Sequence, residues 1–259
     1  MNRFFLSILI LFACYAFLHA QVVFQPKPLT ENRKGVLYEK ELTFDFTLHT
    51  NGYNVGVSWG EMATYYRTNF YYIGFGEIKH PKEYRQNFRF INPANNQTSR
   101  SFIYGKQNNF FLLRAGKGIK KYYSEKAKEK GVAVSLVLEG GPTLGILKPV
   151  YLNVNTSENR GQLTAIRYTE ETAEDFLNLP FIFGSAGFAR GIDEVRFVPG
   201  LHGRIAANFE WGAYDEFIKA AEVGLMLDVF PRTVPIMVTE TNRPFFLNLY
   251  ITLQLGRRS

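Results

Sequence analysis

Two histidines and a serine offer the chain its most direct route to chemistry. His49 ends the stretch ELTFDFTLH, His202 precedes GRIAANFEW, and Ser185 sits in FIFGSAGFARG. A serine hydroxyl activated by a neighbouring imidazole could attack an ester, so these three residues, brought to one rim, would make a lipid-modifying hydrolase or acyltransferase. The local sequence gives that idea little support. FGSAG is not GxSxG, because Phe183 stands where the first glycine should be. With His80, the histidines show neither HExxH nor any other metal-ligand spacing. GGPTLG and GFGEIK hold glycines but open no helix after a strand, so they are not nucleotide loops; Gly140, Gly141 and Pro142 suggest a bend or bulge near a strand end. No catalytic residue, metal site or cofactor is therefore assigned.

The charged residues fall into a more orderly pattern. Asp45, Glu139, Glu210, Glu222 and Asp228 alternate with apolar neighbours, as do Arg114 and Arg204. Alternation puts charges and apolar residues on opposite faces of extended segments. These acids and arginines are expected to form an internal, hydrogen-bonded charge network, with a structural role ahead of a proton path.

The elements that must carry them are strands. ELTFDFTLHT places Leu42, Phe44, Phe46 and Leu48 on one face, and after a tight Asn51-Gly52 turn Val55, Val57 and Trp59 continue it. Six more period-two segments follow: FYYIGFGEI, NNFFLLRAGKGIKKYY, VAVSLVLEGG, GRIAANFEWG, AEVGLMLDVF and RPFFLNLYITLQLGRRS. The last carries Phe245, Leu247, Leu249, Ile251, Leu253 and Leu255 on a single face. Eight antiparallel strands with alternating short and long connections predict a closed transmembrane β-barrel, both termini on the short-turn side, in the periplasm. The long connections are expected near residues 79–101, 153–201 and 231–243. Aromatics beside the short turns, Tyr65, Tyr66, Tyr122, Tyr123, Trp211, Tyr214 and Phe217, read as an interfacial girdle.

A soluble lipocalin-like ligand binder would also have eight strands, with its greasy face inside. The opposite face here is rich in glycine (Gly56, Gly60, Gly74, Gly76, Gly116, Gly118, Gly224) rather than studded with lysine and glutamate. Small residues suit a narrow interior, so the aliphatic face is placed in lipid. Eight strands then leave room for side chains but not for an aqueous channel, which disfavours a diffusion porin.

The chain has 259 residues, 46% hydrophobic and 16% aromatic. Residues 1–20 combine Arg3, an apolar core and the ending LHA, and read as a secretory signal peptide, leaving 21–259 as a single barrel domain. The lone Cys14 lies inside that peptide in a poor lipoprotein context, so the mature chain has no thiol. A net charge of +7 spread among acids gives no basic stripe, and no nucleic-acid partner is expected. The 153–201 segment is the most informative stretch outside the strands. TEETAEDFLN predicts a short helix capped by Thr169, and FIFGSAGFARG an exposed apolar surface suited to docking or to a lid.

GKQNNFFLLRAGKGIKK, VSLVLEGGPTLGILKPVYL, VRFVPGLHGRIAANFEWGAYDE and FFLNLYITLQLGRRS together resemble the small, porin-like outer-membrane β-barrel proteins of Bacteroidota. The resemblance implies a cell outer-membrane location, with outer-membrane lipid and lipopolysaccharide as surroundings. By analogy with other small barrels of that phylum it also implies protein partners. The chain would be a non-catalytic accessory or structural subunit of an envelope complex, of the outer-membrane protein assembly or type IX secretion type. It departs from the usual closing strand of such proteins by ending Gly256-Arg257-Arg258-Ser259 instead of on an aromatic residue.

Overall fold

The structure, a computed structural model, describes residues 38–259 apart from 65, 88–90, 93–96, 125–130, 156–162 and 212–215. The expected signal peptide lies outside the described residues, as do Tyr65 and Tyr214 of the expected girdle.

Eight long strands form a closed antiparallel barrel: β1 (Lys40–His49), β2 (Gly52–Thr64), β3 (Arg67–Ile78), β4 (Asn108–Tyr122), β5 (Val132–Pro149), β6 (Arg196–Trp211), β7 (Phe217–Val229) and β8 (Phe245–Arg258). Each pairs with its neighbour in sequence, and β1 pairs with β8 to close the ring, from Glu41 opposite Arg258 to His49 opposite Tyr250. The seam continues past the strands, where Glu39 and Lys40 donate backbone N–H groups to the Ser259 carbonyl at 3.0 and 2.9 Å. Closure matters because a spanning sheet edge would leave unpaired backbone groups in hydrocarbon.

Alternation then assigns the faces. Leu42, Phe44, Phe46 and Leu48 point outward, as do Leu247 to Leu255 on β8, while Thr43, Asp45, Thr47, Asn248, Tyr250 and Thr252 are buried inside. The soluble-barrel arrangement is thus reversed. The expected small interior face has a concrete use: a Cβ on Gly56 would collide with the Tyr72 ring at 2.5 Å, and others on Gly74 and Gly118 would overlap Tyr72 and Phe70. These glycines make room for large side chains that cross the lumen.

Four expectations change. The first turn is Thr50-Asn51, with Gly52 already pairing with His49 at the start of β2. Gly140, Gly141 and Pro142 do not end β5 or make a bulge against β6: the strand runs on to Pro149, and its register with β6 is unbroken from Val132 to Leu147. Only the β4 ladder skips a step there, between Arg114–Thr143 and Lys117–Gly140, where proline has no N–H to give and the Gly141 and Ala115 backbones approach closely. The 153–201 connection shrinks to 150–195, because Arg196–Leu201 belongs to β6. Tyr122 points into the lumen, so the outward aromatics at the short-turn end are Tyr66, Tyr123, Trp211 and Phe217, joined by Trp59 and Tyr71.

The 150–195 connection is a structure in itself. Strands Tyr151–Val154, Thr164–Arg167 and Ile182–Ser185 form a small sheet with the first in the middle, accompanied by helix α1 (Ala173–Leu177). The helix begins after Thr172, whose side chain makes no capping bond; Thr169 Oγ1 accepts the Thr172 N–H at 3.2 Å in the turn ahead of it, and the Thr172 hydroxyl donates to the Arg167 carbonyl at 2.6 Å. Phe102, Leu152, Val154, Phe176 and Ile182 make its core.

Two glycine substitutions separate crowding from mere flexibility. Gly141→Ala should cost about 1–3 kcal/mol, because the new methyl overlaps the Ala115 carbonyl. Gly203→Ala, whose Cβ would lie 3.8 Å from its nearest neighbour, should leave the urea unfolding midpoint in detergent micelles unchanged.

Candidate functional site

The lumen is the first place to look for function, and its polar groups are arranged in tiers. Near the short-turn end Lys120 Nζ meets Glu41 Oε1 at 3.1 Å. There Arg258 Nη2 donates to Glu210 Oε2 at 2.7 Å, and the Tyr122 hydroxyl donates to the same oxygen at 3.1 Å. In the middle, Arg204 is paired with Glu139, lies 3.9 Å from Glu222, and places its guanidinium 4.2 Å from the centre of the Tyr72 ring. The Tyr250 hydroxyl donates to Glu222 Oε1 at 2.5 Å.

Further toward the long loops Arg114 grips Asp228 with two parallel bonds, Nε to Oδ1 at 2.8 Å and Nη2 to Oδ2 at 2.9 Å, and Nη1 donates to Asn54 Oδ1 at 3.1 Å. Asp45 is held instead by the hydroxyls of Ser58 at 2.7 Å and Thr43 at 3.1 Å. The charge network therefore exists, and Arg114 on β4 reaches Asp228 on β7 across the lumen, since β5 and β6 lie between them in the ring. Such fork-shaped pairs need desolvated, fixed partners, and both side chains are almost wholly buried.

Above the network the lumen turns apolar. Ile78, Phe110, Leu112, Leu147 and Val198 from the wall pack on Phe230, Val234, Ile236 and Met237 from the 230–244 connection. Phe110 lies edge-on to Phe230 with ring centres 5.3 Å apart. That connection is a plug held by Asn242, whose Oδ1 accepts from the Ile236 and Met237 N–H groups at 2.9 and 3.1 Å. The 79–107 connection, itself tied by a buried Lys106–Glu83 pair at 2.6 Å, braces it through Lys82 Nζ on Glu240 Oε2 at 2.7 Å and a Val238 N–H donated to the Gly105 carbonyl. Side chains thus fill the barrel from one end to the other.

The residues considered for hydrolysis are not brought together. Both ring nitrogens of His202 are engaged inside the barrel, Nδ1 with Thr143 Oγ1 and Nε2 with Glu139 Oε1, each at 2.8 Å. His49 is buried at the end of β1 between Gly52 and Tyr250. Ser185 sits in the small external sheet opposite Leu152, its Oγ accepting from the Gly187 N–H at 3.3 Å. Among the described residues no group of three His, Cys, Asp or Glu could hold a metal ion.

The surface of the long connections is the second candidate. The small sheet joins the 79–107 connection through the Ser185 N–H on the Arg100 carbonyl at 3.3 Å and the Tyr104 hydroxyl on the Leu177 carbonyl at 2.8 Å. The Tyr151 hydroxyl donates to Glu194 Oε1 at 2.7 Å, and burial together with that carboxylate raises the phenol's pKa above its ordinary value. FIFGSAGFARG is only partly exposed: Ile182 is in the core, whereas Phe188 stands out at 64%, as does Ile192 just after the stretch at 56%. Phe188 lies edge-on to Phe111 on the outer face of β4, with the Lys148 ammonium 4.5 Å from its ring centre.

The outward apolar belt, the polar packed lumen and the closed ladder together decide the environment. This is an integral outer-membrane β-barrel. No family model matches the chain, and no curated protein does. Among solved structures it is similar to the attachment invasion locus protein Ail of Yersinia pestis (8% identity, 86% of this chain and 100% of that one, TM-score 0.36). It is similar also to the N-terminal β-barrel domain of Pseudomonas aeruginosa OprF (7%, 84% and 97%, 0.32) and to a major outer membrane protein of Thermus thermophilus (7%, 85% and 99%, 0.38). At these identities and TM-scores the likeness decides nothing about function.

Sequence parity finds the acids and arginines of the middle tiers but misses Glu41, Lys120 and Arg258. Arg258 belongs to what reads as an aberrant tail; in the structure it is the last inward residue of β8. Replacing Asp228 by Asn should leave the Arg114 charge buried without its partner and lower stability by about 3–5 kcal/mol in micelle unfolding. The pair Arg114→Met with Asp228→Leu, which removes both charges, should recover most of that loss.

Proposed function

We propose that this barrel is a non-catalytic accessory or structural subunit of an envelope complex that works through its external connections. The short turns, the start of β1 and the end of β8 face the periplasm, and the 79–107, 150–195 and 230–244 connections face outward, among lipopolysaccharide. One contrast carries the reading: the lumen is packed and its arginines meet carboxylates within it, while the 150–195 connection packs on a core separate from the barrel's and leaves most of the Phe188 and Ile192 surface exposed. A connection that merely joins two strands needs no sheet, helix or core, and exposed apolar residues on an ordered support are what a protein partner buries. The resemblance to small Bacteroidota barrels supports a partner of the outer-membrane protein assembly or type IX secretion type.

Phe188→Ser combined with Ile192→Ser should abolish co-purification of the partner complex in mild detergent, while the barrel keeps its heat-modifiable migration on gels. Retention of the same co-purifying proteins would overturn the docking role. A changed lipid acylation profile after His49→Ala, His202→Ala and Ser185→Ala would overturn the non-catalytic one.

A further inference from the structure

The outer wall carries a groove of about 760 Å³ running across β3 to β7. Its floor is Gly140 and Gly203, which face outward directly opposite each other in the β5–β6 ladder. Neither glycine is required by packing. A Cβ on Gly140 would have only the His202 carbonyl within reach, at 3.4 Å, and one on Gly203 only the Glu139 carbonyl, at 3.8 Å. This sets them apart from the lumen glycines, whose missing side chains are replaced by Tyr72 and Phe70. Glycine weakens a strand, so a pair with free space above it leaves an unfilled notch in an otherwise greasy wall.

The two ends of the groove differ. At the far end Ile205 and Leu227 make an apolar bank. At the near end stand two cations, Arg67, the first residue of β3, and Lys117, which pairs with Gly140 across the β4–β5 ladder. Among the described residues neither has an acidic partner within ion-pair distance: Arg67 Nε donates to Asn69 Oδ1 at 3.2 Å, and Lys117 lies 5.4 Å from the centre of the Tyr71 ring. Arg67 opens its strand at the short-turn end, whereas Leu227 lies toward the long-loop end of β7, so the groove climbs from the membrane interface toward the bilayer interior.

From this we infer that the groove binds one anionic phospholipid of the short-turn leaflet. Its phosphate lies between Arg67 and Lys117, and an acyl chain lies over Gly140 and Gly203 against Ile205 and Leu227. A cation on a lipid-facing wall is costly unless it reaches water or an anion, and a phosphate at the groove mouth supplies the anion. The chain over the glycines fills a notch that bulk lipid would pack poorly. The inference rests on the barrel's place in a membrane and is independent of any protein partner.

Native mass spectrometry of the full barrel in detergent, titrated with phosphatidylglycerol, tests it. The unaltered protein should retain a first lipid that Arg67→Ala with Lys117→Ala weakens about tenfold or more. Gly140→Leu with Gly203→Leu should weaken it comparably while heat-modifiable migration persists. Lys219→Ala, an outward cation on β7 beyond the groove, should have no effect, and neither dioleoylglycerol nor glycerol phosphate should compete as phosphatidylglycerol does. Unchanged retention in the cation pair, equal weakening by Lys219→Ala, or full competition by glycerol phosphate alone would overturn the inference. If the leucine pair does not fold, the cation pair and its Lys219 control decide the matter.

Discussion

Pairing between β1 and β8 is the contact on which every other feature depends, because it joins strands far apart in sequence and turns a curled sheet into a wall without edges. In hydrocarbon an open edge would leave a row of N–H and C=O groups unsatisfied, each at a cost of several kcal/mol. The Ser259 carbonyl and N–H extend the seam by bonding to Glu39 and Lys40, so closure reaches beyond the paired strands. Only once the ring is complete do β4 and β7 face each other, and only then can Arg114 find Asp228. The charge network is a product of closure as much as a support for it.

Division of labour inside the lumen follows from its width. Eight strands leave a space that large side chains can cross, and the glycines on the inner face decide which of them do so. Tyr72 lies over Gly56 and Gly74, reaches Asn54 with its hydroxyl, and offers its ring to Arg204. One tyrosine therefore couples the crowding of β2 and β3 to the ion pairs of β5, β6 and β7. Above it, apolar packing replaces ion pairing where the 230–244 connection descends into the mouth. Two unlike materials thus fill one tube, each suited to the groups that the adjoining strands supply.

Much of this is legible in the alternation of the chain, because a period of two assigns a face to every residue of a strand at once. All eight strands can be found that way, and so can Arg114, Arg204 and the five acids that share their interior. Strand ends are harder. The full lengths of β5 and β6 are hidden because Gly140-Gly141-Pro142 looks like a terminator; the pleat continues there only because β6 pairs without interruption on the other side, a tertiary fact. Arg258 looks like a tail for the same reason, since its role depends on Glu210 from another strand. α1 starts after Thr172 instead of Thr169 and without a side-chain cap, because the Thr172 hydroxyl is turned back to the Arg167 carbonyl, a local geometry that composition alone does not specify. The groove on the outer wall leaves no periodic signal at all: it exists where outward glycines on two strands fall into the same row.

The unequal strands have a consequence for how the protein sits among lipids. On β6 the outward face stays apolar or small from Phe197 to Trp211, whereas on β1 it spans only Leu42 to Leu48. The barrel is therefore a cylinder cut obliquely, tall on one flank and low on the other. A bilayer meeting such a body cannot keep one thickness around it; it must thicken beside β5 and β6, thin beside β1, or let the cylinder lean. Each response distorts the surrounding lipid in a direction fixed by the protein. Neighbours of matching height lower that distortion when they settle against the corresponding flank, so the shape gives the barrel a preferred heading in the plane of the membrane.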